Sequence, residues 1–215
     1  SEILKMVVNK FPLVLIDRAY KGISAAAFST DNAAAAHEGT DYLINLGHEH
    51  IGVLMPSNNE TTTIEDRLSG IVSAFAEEKL SVNRKLWCAD IHSTLPTPEA
   101  TQREDIEVIK SHIQKNPEIT AIFALEYTIG LLAKIAIEEL GLQVPNDISI
   151  ICFDSPPLSY NDWNFTHLAQ NEAEVGRLAV ERLMEMYRGN FDTSNKLIPA
   201  TLIEGNTTGP ARPNG

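Results

Sequence analysis

The chain has 215 residues, 43% hydrophobic, 21% charged and 7% aromatic, an ordinary composition for a globular protein with a buried core. The 17 Lys+Arg against 29 Asp+Glu leave a formal net charge of −12, which repels phosphate backbones and argues against a nucleic-acid surface in this chain. Cys88 and Cys152, with no metal-ligand spacing, exclude a disulfide scaffold and point to a reducing compartment; with no membrane-length apolar run and no signal-peptide order at the start, a cytoplasmic location without membrane contact is expected.

In chain order, a short helical pattern (Ile3, Leu4, Val7, Val8) precedes the apolar run Pro12 to Ile16, which suits a strand buried on both faces and ends in Asp17-Arg18. Ser24 to Ser29 reads as a weaker strand. A helix is predicted from Asn32 to Leu46 behind Asp31, because Ala35, Gly39, Leu43 and Leu46 recur at helical spacing and Gly47 supplies the stop. Strand, loop and helix then alternate: Ile51 to Met55 before IEDRLSGIVSAFAEEK, LWCADI before TPEATQREDIEVIKSHIQK, and TAIFAL before YTIGLLAKIAIEELG. Ile148 to Phe153 is a further strand and THLAQ a short extended piece. Asn171 with Glu174 opens the helix EAEVGRLAVERLMEMYRG, and LIPATLIEG closes as one final strand ahead of a frayed tail, NTTGPARPNG. Alternation of this kind implies right-handed crossovers and parallel sheets covered on both faces, so the fold class is α/β, doubly wound.

Neither glycine-rich phosphate loop occurs, and neither does a G-x-S-x-G elbow; both cysteines fall in strand runs where buried, inert Cys is common. His48-Glu49-His50 is no HExxH motif, and a structural or surface role is expected for it; no metal site and no cofactor are predicted. What remains is a set of polar residues at the carboxyl ends of strands, where open α/β sheets bind ligands. Asp17 and Arg18 follow the first strand, Thr63 and Arg67 the strand Ile51 to Met55. Asp90 and His92 end the next, Glu126 and Tyr127 follow TAIFAL, and Asp154 follows IICF. Acceptors, aromatics and one planar donor fork suit a neutral polyhydroxylated ligand, a sugar rather than a nucleotide. Each has a plainer reading: an Asp after a strand is often a helix N-cap, and Arg67 suits a surface ion pair.

FPLVLIDR, STDNAAAAHEGTDYLINLGHEHIGVLMP, DRLSGIVSAF, IAIEELGLQVPNDISIICFD, VGRLAVERLMEM and IPATLIEGNTT resemble, in order and spacing, the effector-binding domain of LacI/GalR-type bacterial transcriptional repressors, itself similar to type I periplasmic sugar-binding proteins. The same domain occurs behind winged-helix heads in repressors resembling the arabinose repressor. The resemblance covers nearly the whole chain. It implies sugar-contact roles for Asp17, Thr63, Arg67 and Asp154, and for Gln170 at the crossover between lobes. It also implies a sugar held in an interlobe cleft, lobe closure that changes operator-DNA affinity, and a homodimer. Residues 30–170 and 191–209 would form a nearly complete second lobe, 1–29 and 171–190 the remnant of a truncated first lobe, and 210–215 a tail. The DNA-binding head would be absent, and the chain on its own would bind its effector poorly. Two departures stand out: Glu126-Tyr127 replaces the family's Asn-Asp, and Cys152 stands where Gly is common. The alternatives are a periplasmic sugar-binding protein of a transport system and, from a third class, a sugar-processing enzyme using Asp17 and Glu126 as an acid/base pair.

Overall fold

The computed structural model describes residues 2–8, 10–17, 23–57, 62–93, 98–155 and 164–213. In chain order its elements are α1 (Glu2–Val8), β1 (Val14–Ile16), β2 (Ala26–Thr30), α2 (Asn32–Asn45), β3 (Ile51–Pro56), α3 (Thr62–Glu77), β4 (Trp87–Ile91), α4 (Glu99–Lys115), β5 (Ala121–Ala124), α5 (Tyr127–Glu139), β6 (Ser149–Phe153), β7 (Thr166–Ala169), α6 (Glu172–Tyr187), β8 (Lys196–Ile198) and β9 (Thr201–Ile203). They divide into two compact units, one of Ser1–Asn32 with Gln170–Thr201, the other of Ala33–Ala169 with Leu202–Gly215.

The smaller unit holds a three-stranded sheet in the order β1-β2-β8, both pairings parallel. Helix α6 lies on it: Val175, Ala179 and Met186 are buried with Ala26, Phe28 and Ile198. The start of α6 follows the expected cap, with Asn171 Oδ1 accepting the Glu174 N–H at 3.1 Å. One expectation fails here. LIPATLIEG is two strands in two sheets, β8 beside β2 and β9 at the edge of the larger sheet. Pro199 has no N–H to continue the β8 ladder, so the run breaks after Ile198, whose carbonyl accepts the Asp31 N–H at 2.9 Å. The boundary expected at residue 191 therefore falls after Thr201, and 191–201 sit with the smaller unit.

The larger unit holds a six-stranded sheet ordered β4-β3-β5-β6-β7-β9, parallel from β4 through β7. Strand alternation assigns its two faces. Leu54, Ile122, Ala124, Ile150 and Cys152 pack with Ile106, Ile109 and Ile113 of α4 and with Ile129, Leu132 and Ala136 of α5. Val53, Phe123 and Ile151, also fully buried, face the other way. There α2 comes so close at Gly39 that a Cβ would stand 2.8 Å from Leu168 and 3.2 Å from Phe123. Helices α2 and α3 meet with equal closeness: a Cβ on Gly70 would lie 2.1 Å from the Ala33 carbonyl oxygen. Because β3, β5 and β6 are covered on both faces, their sequences read as continuous apolar runs.

The tail is not frayed through Arg212. The Ile150 N–H donates to the Thr207 carbonyl and the Thr207 hydroxyl donates back to the Ile150 carbonyl, each at 2.7 Å; the Gly209 N–H donates to Ser149 Oγ at 3.0 Å, and the Ala211 N–H donates to the Leu46 carbonyl at 2.9 Å. His48 closes this arrangement. Its buried ring donates through Nε2 to the Gly209 carbonyl at 2.9 Å, which leaves Nδ1 to accept from Thr120 Oγ1, also at 2.9 Å. Burial pulls the His48 pKa down and the Gly209 carbonyl raises it in part, for a net lowering. The folded state thus binds this proton less readily than the unfolded chain does. The resulting stability is present above the unfolded value, near pH 6.5, and is lost as pH falls from there through the folded pKa. Chemical denaturation at pH 7.5 and pH 5 should show this loss, and His48→Gln, less stable at pH 7.5, should show a smaller one; an identical pH dependence in the variant would exclude His48 as its source.

Candidate functional site

In the larger sheet the chain leaves β3 toward β4 on one side and, after α4, enters β5 on the other. The β3/β5 gap is therefore the point where the winding direction switches, and ligands bind parallel sheets outside the carboxyl ends at such a point. Arg67, the sixth residue of α3, reaches it. The side chain is buried at 5% exposure. Its Nη1 donates to the Leu125 carbonyl beyond β5, and its guanidinium carbon stands 3.6 Å from the centre of the Phe153 ring at the end of β6. Phe153 is held in turn by Phe123, stacked at 5.9 Å. A desolvated cation over an aromatic face gains about 2 kcal/mol, which offsets part of the cost of taking the guanidinium out of water.

Glu126 follows Leu125 at the N-cap of α5, half-buried, and makes no side-chain cap hydrogen bond. Burial pushes its carboxyl above the usual carboxylate range, and the Arg67 charge pulls it partly back. Tyr127 begins α5 with its ring edge-on to Phe165 at 5.7 Å; burial raises its phenol pKa, keeping it a donor. Asp154 follows β6 with φ at 60°, the left-handed region, its N–H donated to the Leu168 carbonyl at 3.0 Å. An L-residue held there costs about 1 kcal/mol, Asp being among the more tolerant types, and such strain concentrates at functional sites. Cys152, fully buried beside it, donates from Sγ to the Asp154 carbonyl, and burial lifts its thiol so far that it is inert as a nucleophile.

The loop after β4 is fixed by a carboxylate that sequence reading passed over. Asp105 of α4 is buried; its Oδ1 accepts the His92 N–H at 3.0 Å and its Oδ2 accepts the Ser93 N–H at 2.6 Å together with the Ser93 hydroxyl. His92 projects to solvent with Nδ1 2.8 Å from Ser57 Oγ, tying the end of β4 to the end of β3. The signal lay in the spacing: Asp105, Ile109 and Ile113 share one inward stripe of α4, where a carboxylate needs donors. Asp90 lies within β4 and is exposed; Thr63 stands on α3 one turn before Arg67, half-buried.

Two singled-out residues belong to the smaller unit. Asp17 ends β1 with φ at 66° and donates its N–H to the Phe28 carbonyl at 3.0 Å, the same device as at Asp154. Gln170 Oε1 accepts from the Thr30 hydroxyl at 2.8 Å. Asp17, Thr30, Gln170 and Glu172 line a cavity of about 200 Å³ within that unit. Arg18 lies outside the described residues. A roomier groove, about 710 Å³, runs between α2 and α3. It contains no arginine, and its one imidazole, His37, already pairs with Asp41 and Glu77 at 3.1 and 3.2 Å. The carboxyl edge is thus the better candidate, because a donor fork and several acceptors converge there. Among the described residues no helix is long and apolar enough to cross a membrane, and no cluster of His, Cys, Asp and Glu has the arrangement of a metal site.

A family model described as a periplasmic binding protein-like domain matches residues 40–208. The ribose operon repressor of Haemophilus influenzae is 28% identical over 195 residues, covering 87% of this chain and 54% of that protein. The regulator GalS of Salmonella typhimurium is 27% identical over 196 residues, covering 89% of this chain and 54% of that protein. The chain thus spans about half the length of these curated relatives, which are transcriptional regulators rather than enzymes. Among solved structures, a LacI family regulator from Enterococcus faecium with bound ribose superimposes with a TM-score of 0.78 at 19% identity, over 96% of this chain and 74% of that one. At that identity the likeness shows the fold, which is the periplasmic-binding-protein-like arrangement of parallel sheets.

Removing the carboxylate that anchors the β4 loop would leave three donors without their acceptor. Asp105→Ala should cost about 2–3 kcal/mol of stability, and hydrogen exchange at the His92 and Ser93 amides should quicken at least tenfold relative to β5. Unchanged exchange at those amides would show that another group holds the loop.

Proposed function

Because the chain belongs to the family of periplasmic binding protein-like domains, we propose that it is the effector-sensing part of a bacterial transcriptional regulator, a repressor, whose effector is a small sugar. The observation that carries this reading is Arg67: a guanidinium buried on Phe153 at the switch point, beside Glu126, suits adjacent hydroxyls of a neutral ring. Tyr127, Asp154, His92 and Thr63 contribute the further polar groups on that unit. Asp17, Arg18 and Gln170 contribute those of the smaller one, and Asp90 stands at the margin. Regulators among the relatives favour this over a transport protein.

In the proposed mechanism the two units, the lobes expected from the sequence, close on the sugar, and the closed state has a different affinity for operator DNA. A ligand shifts such an equilibrium only by its differential affinity for the two states. The excess negative charge of this chain assigns DNA contact to another part of the protein, and the proposal places the whole regulator in the cytoplasm as a homodimer.

Thermal-shift measurement with pentoses and hexoses on the full natural polypeptide that carries this chain tests the reading. A ligand at about 100 times its Kd adds roughly 2.7 kcal/mol. Arg67→Ala and Arg67→Lys should each weaken sugar binding at least tenfold, about 1.4 kcal/mol, and wild-type affinity in both would remove Arg67 from the site. Coupling is reciprocal: saturating operator DNA should change sugar affinity by the factor by which sugar changes operator affinity, and a sugar titration indifferent to operator would refute the mechanism.

A further inference from the structure

The class of sugar is the next question, and the charge around the switch point bears on it. Among the described residues at the carboxyl edge of the larger sheet, 57, 62–67, 91–93, 125–127 and 153–155, the single Lys or Arg is Arg67, against Glu65, Asp66, Glu126 and Asp154. Arg67 is itself engaged: it donates to Leu125, stacks on Phe153 and faces Glu126. Phosphate recognition commonly adds backbone N–H groups at a helix N-terminus to a cation. At α5 the N-cap residue is Glu126, whose carboxylate accepts hydrogen bonds and repels anions that approach that helix end.

The Glu126 carboxylate faces the Arg67 charge but is not consumed by hydrogen bonding within the fold. It caps no N–H of α5, and among the described residues no hydrogen bond to its carboxylate is formed, although it is half-buried. An acceptor held at the mouth of a site without a partner calls for a donor from the ligand, because burying it unpaired against a bound ring would be costly. An amide at this position could donate to an anionic oxygen; a carboxylate cannot.

We propose that Glu126 determines effector class: this unit's share of the site takes an uncharged polyol that donates a hydroxyl to the Glu126 carboxylate, and it discriminates against phosphorylated and acid sugars. The inference rests on the sugar-sensing reading and adds the chemistry of the group facing α5. The raised carboxyl of Glu126 is consistent with it, since a hydroxyl donor serves that group better than a second negative charge would.

The test is calorimetric titration of the full natural polypeptide with common pentoses and hexoses, each paired with its monophosphate, for wild type, Glu126→Gln and Glu126→Asn. The wild type should favour a free sugar over its phosphate at least tenfold. Both variants should shrink that preference at least fivefold while each still unfolds in one cooperative transition, with a midpoint lowered to the extent that the charge facing Arg67 is lost. Either variant alone reads the effect if the other folds poorly. A phosphate bound as tightly as its free sugar in the wild type, or a preference unchanged by substitution, overturns the assignment of Glu126 and leaves the sugar reading standing. Binding of neither form across the panel overturns the sugar reading and this inference with it.

Discussion

A guanidinium cannot be left in a protein interior without compensation, and the placement of Arg67 organises the carboxyl edge of the larger unit. Its charge cannot be neutralised at working pH, so carbonyl, ring and counter-charge must be supplied by the fold. The Leu125 carbonyl comes from the end of β5, the Phe153 face from the end of β6, and the opposing charge from Glu126 at the start of α5. Two segments far from Arg67 in sequence, the β5–α5 junction at Leu125–Glu126 and the end of β6, are therefore held to one cation. A ligand that arrives there meets groups already in position, the condition under which a few polar contacts yield affinity instead of being spent on ordering side chains.

The parallel sheet makes this convergence possible. With the order β4-β3-β5-β6, crossovers leave on opposite sides of β3, and the carboxyl ends open at the gap. Both units then use one local device at the strand exit: Asp17 and Asp154 adopt left-handed backbone, and each gives its N–H to the neighbouring strand. That geometry turns the chain sharply off the sheet without glycine and keeps a carboxylate at the turn. A merely structural turn is better served by glycine, so the persistence of Asp with strain at both exits accords with a ligand role.

Much of this was legible in the sequence because parallel strands covered on both faces are continuous apolar runs. IGVLM, TAIFAL and ISIICF mark such strands, and the residues that follow them mark the candidate site; PLVLI also marks a strand, β1, but the expected burial on both faces fails there, since Val14 and Leu15 are half-buried and Ile16 is exposed. What escaped reading depended on contacts distant in sequence. Nothing local distinguishes Arg67 as a buried cation over Phe153 from a surface ion pair on α3. The division of LIPATLIEG into β8 and β9 depends on which sheet offers each half an edge, and Pro199 alone did not reveal it. The tail seemed frayed because its composition is that of a linker, whereas Thr207, Gly209 and Ala211 are tied down by Ile150, Ser149, His48 and Leu46. Asp105 was hidden for the opposite reason: a charged residue on an exposed-looking helix turned out to be the anchor of a loop.

The central claim is that the carboxyl edge around Arg67, and not the larger α2/α3 groove, receives the effector. Residue-resolved hydrogen exchange on the full natural polypeptide, with and without its tightest-binding sugar, addresses this directly. The account predicts added protection at residues 62–67, 125–127 and 154, with little change at Ala33, His37 and Tyr42; protection concentrated along Ala33, His37, Tyr42 and Ser73, with the carboxyl edge unaffected, would contradict it.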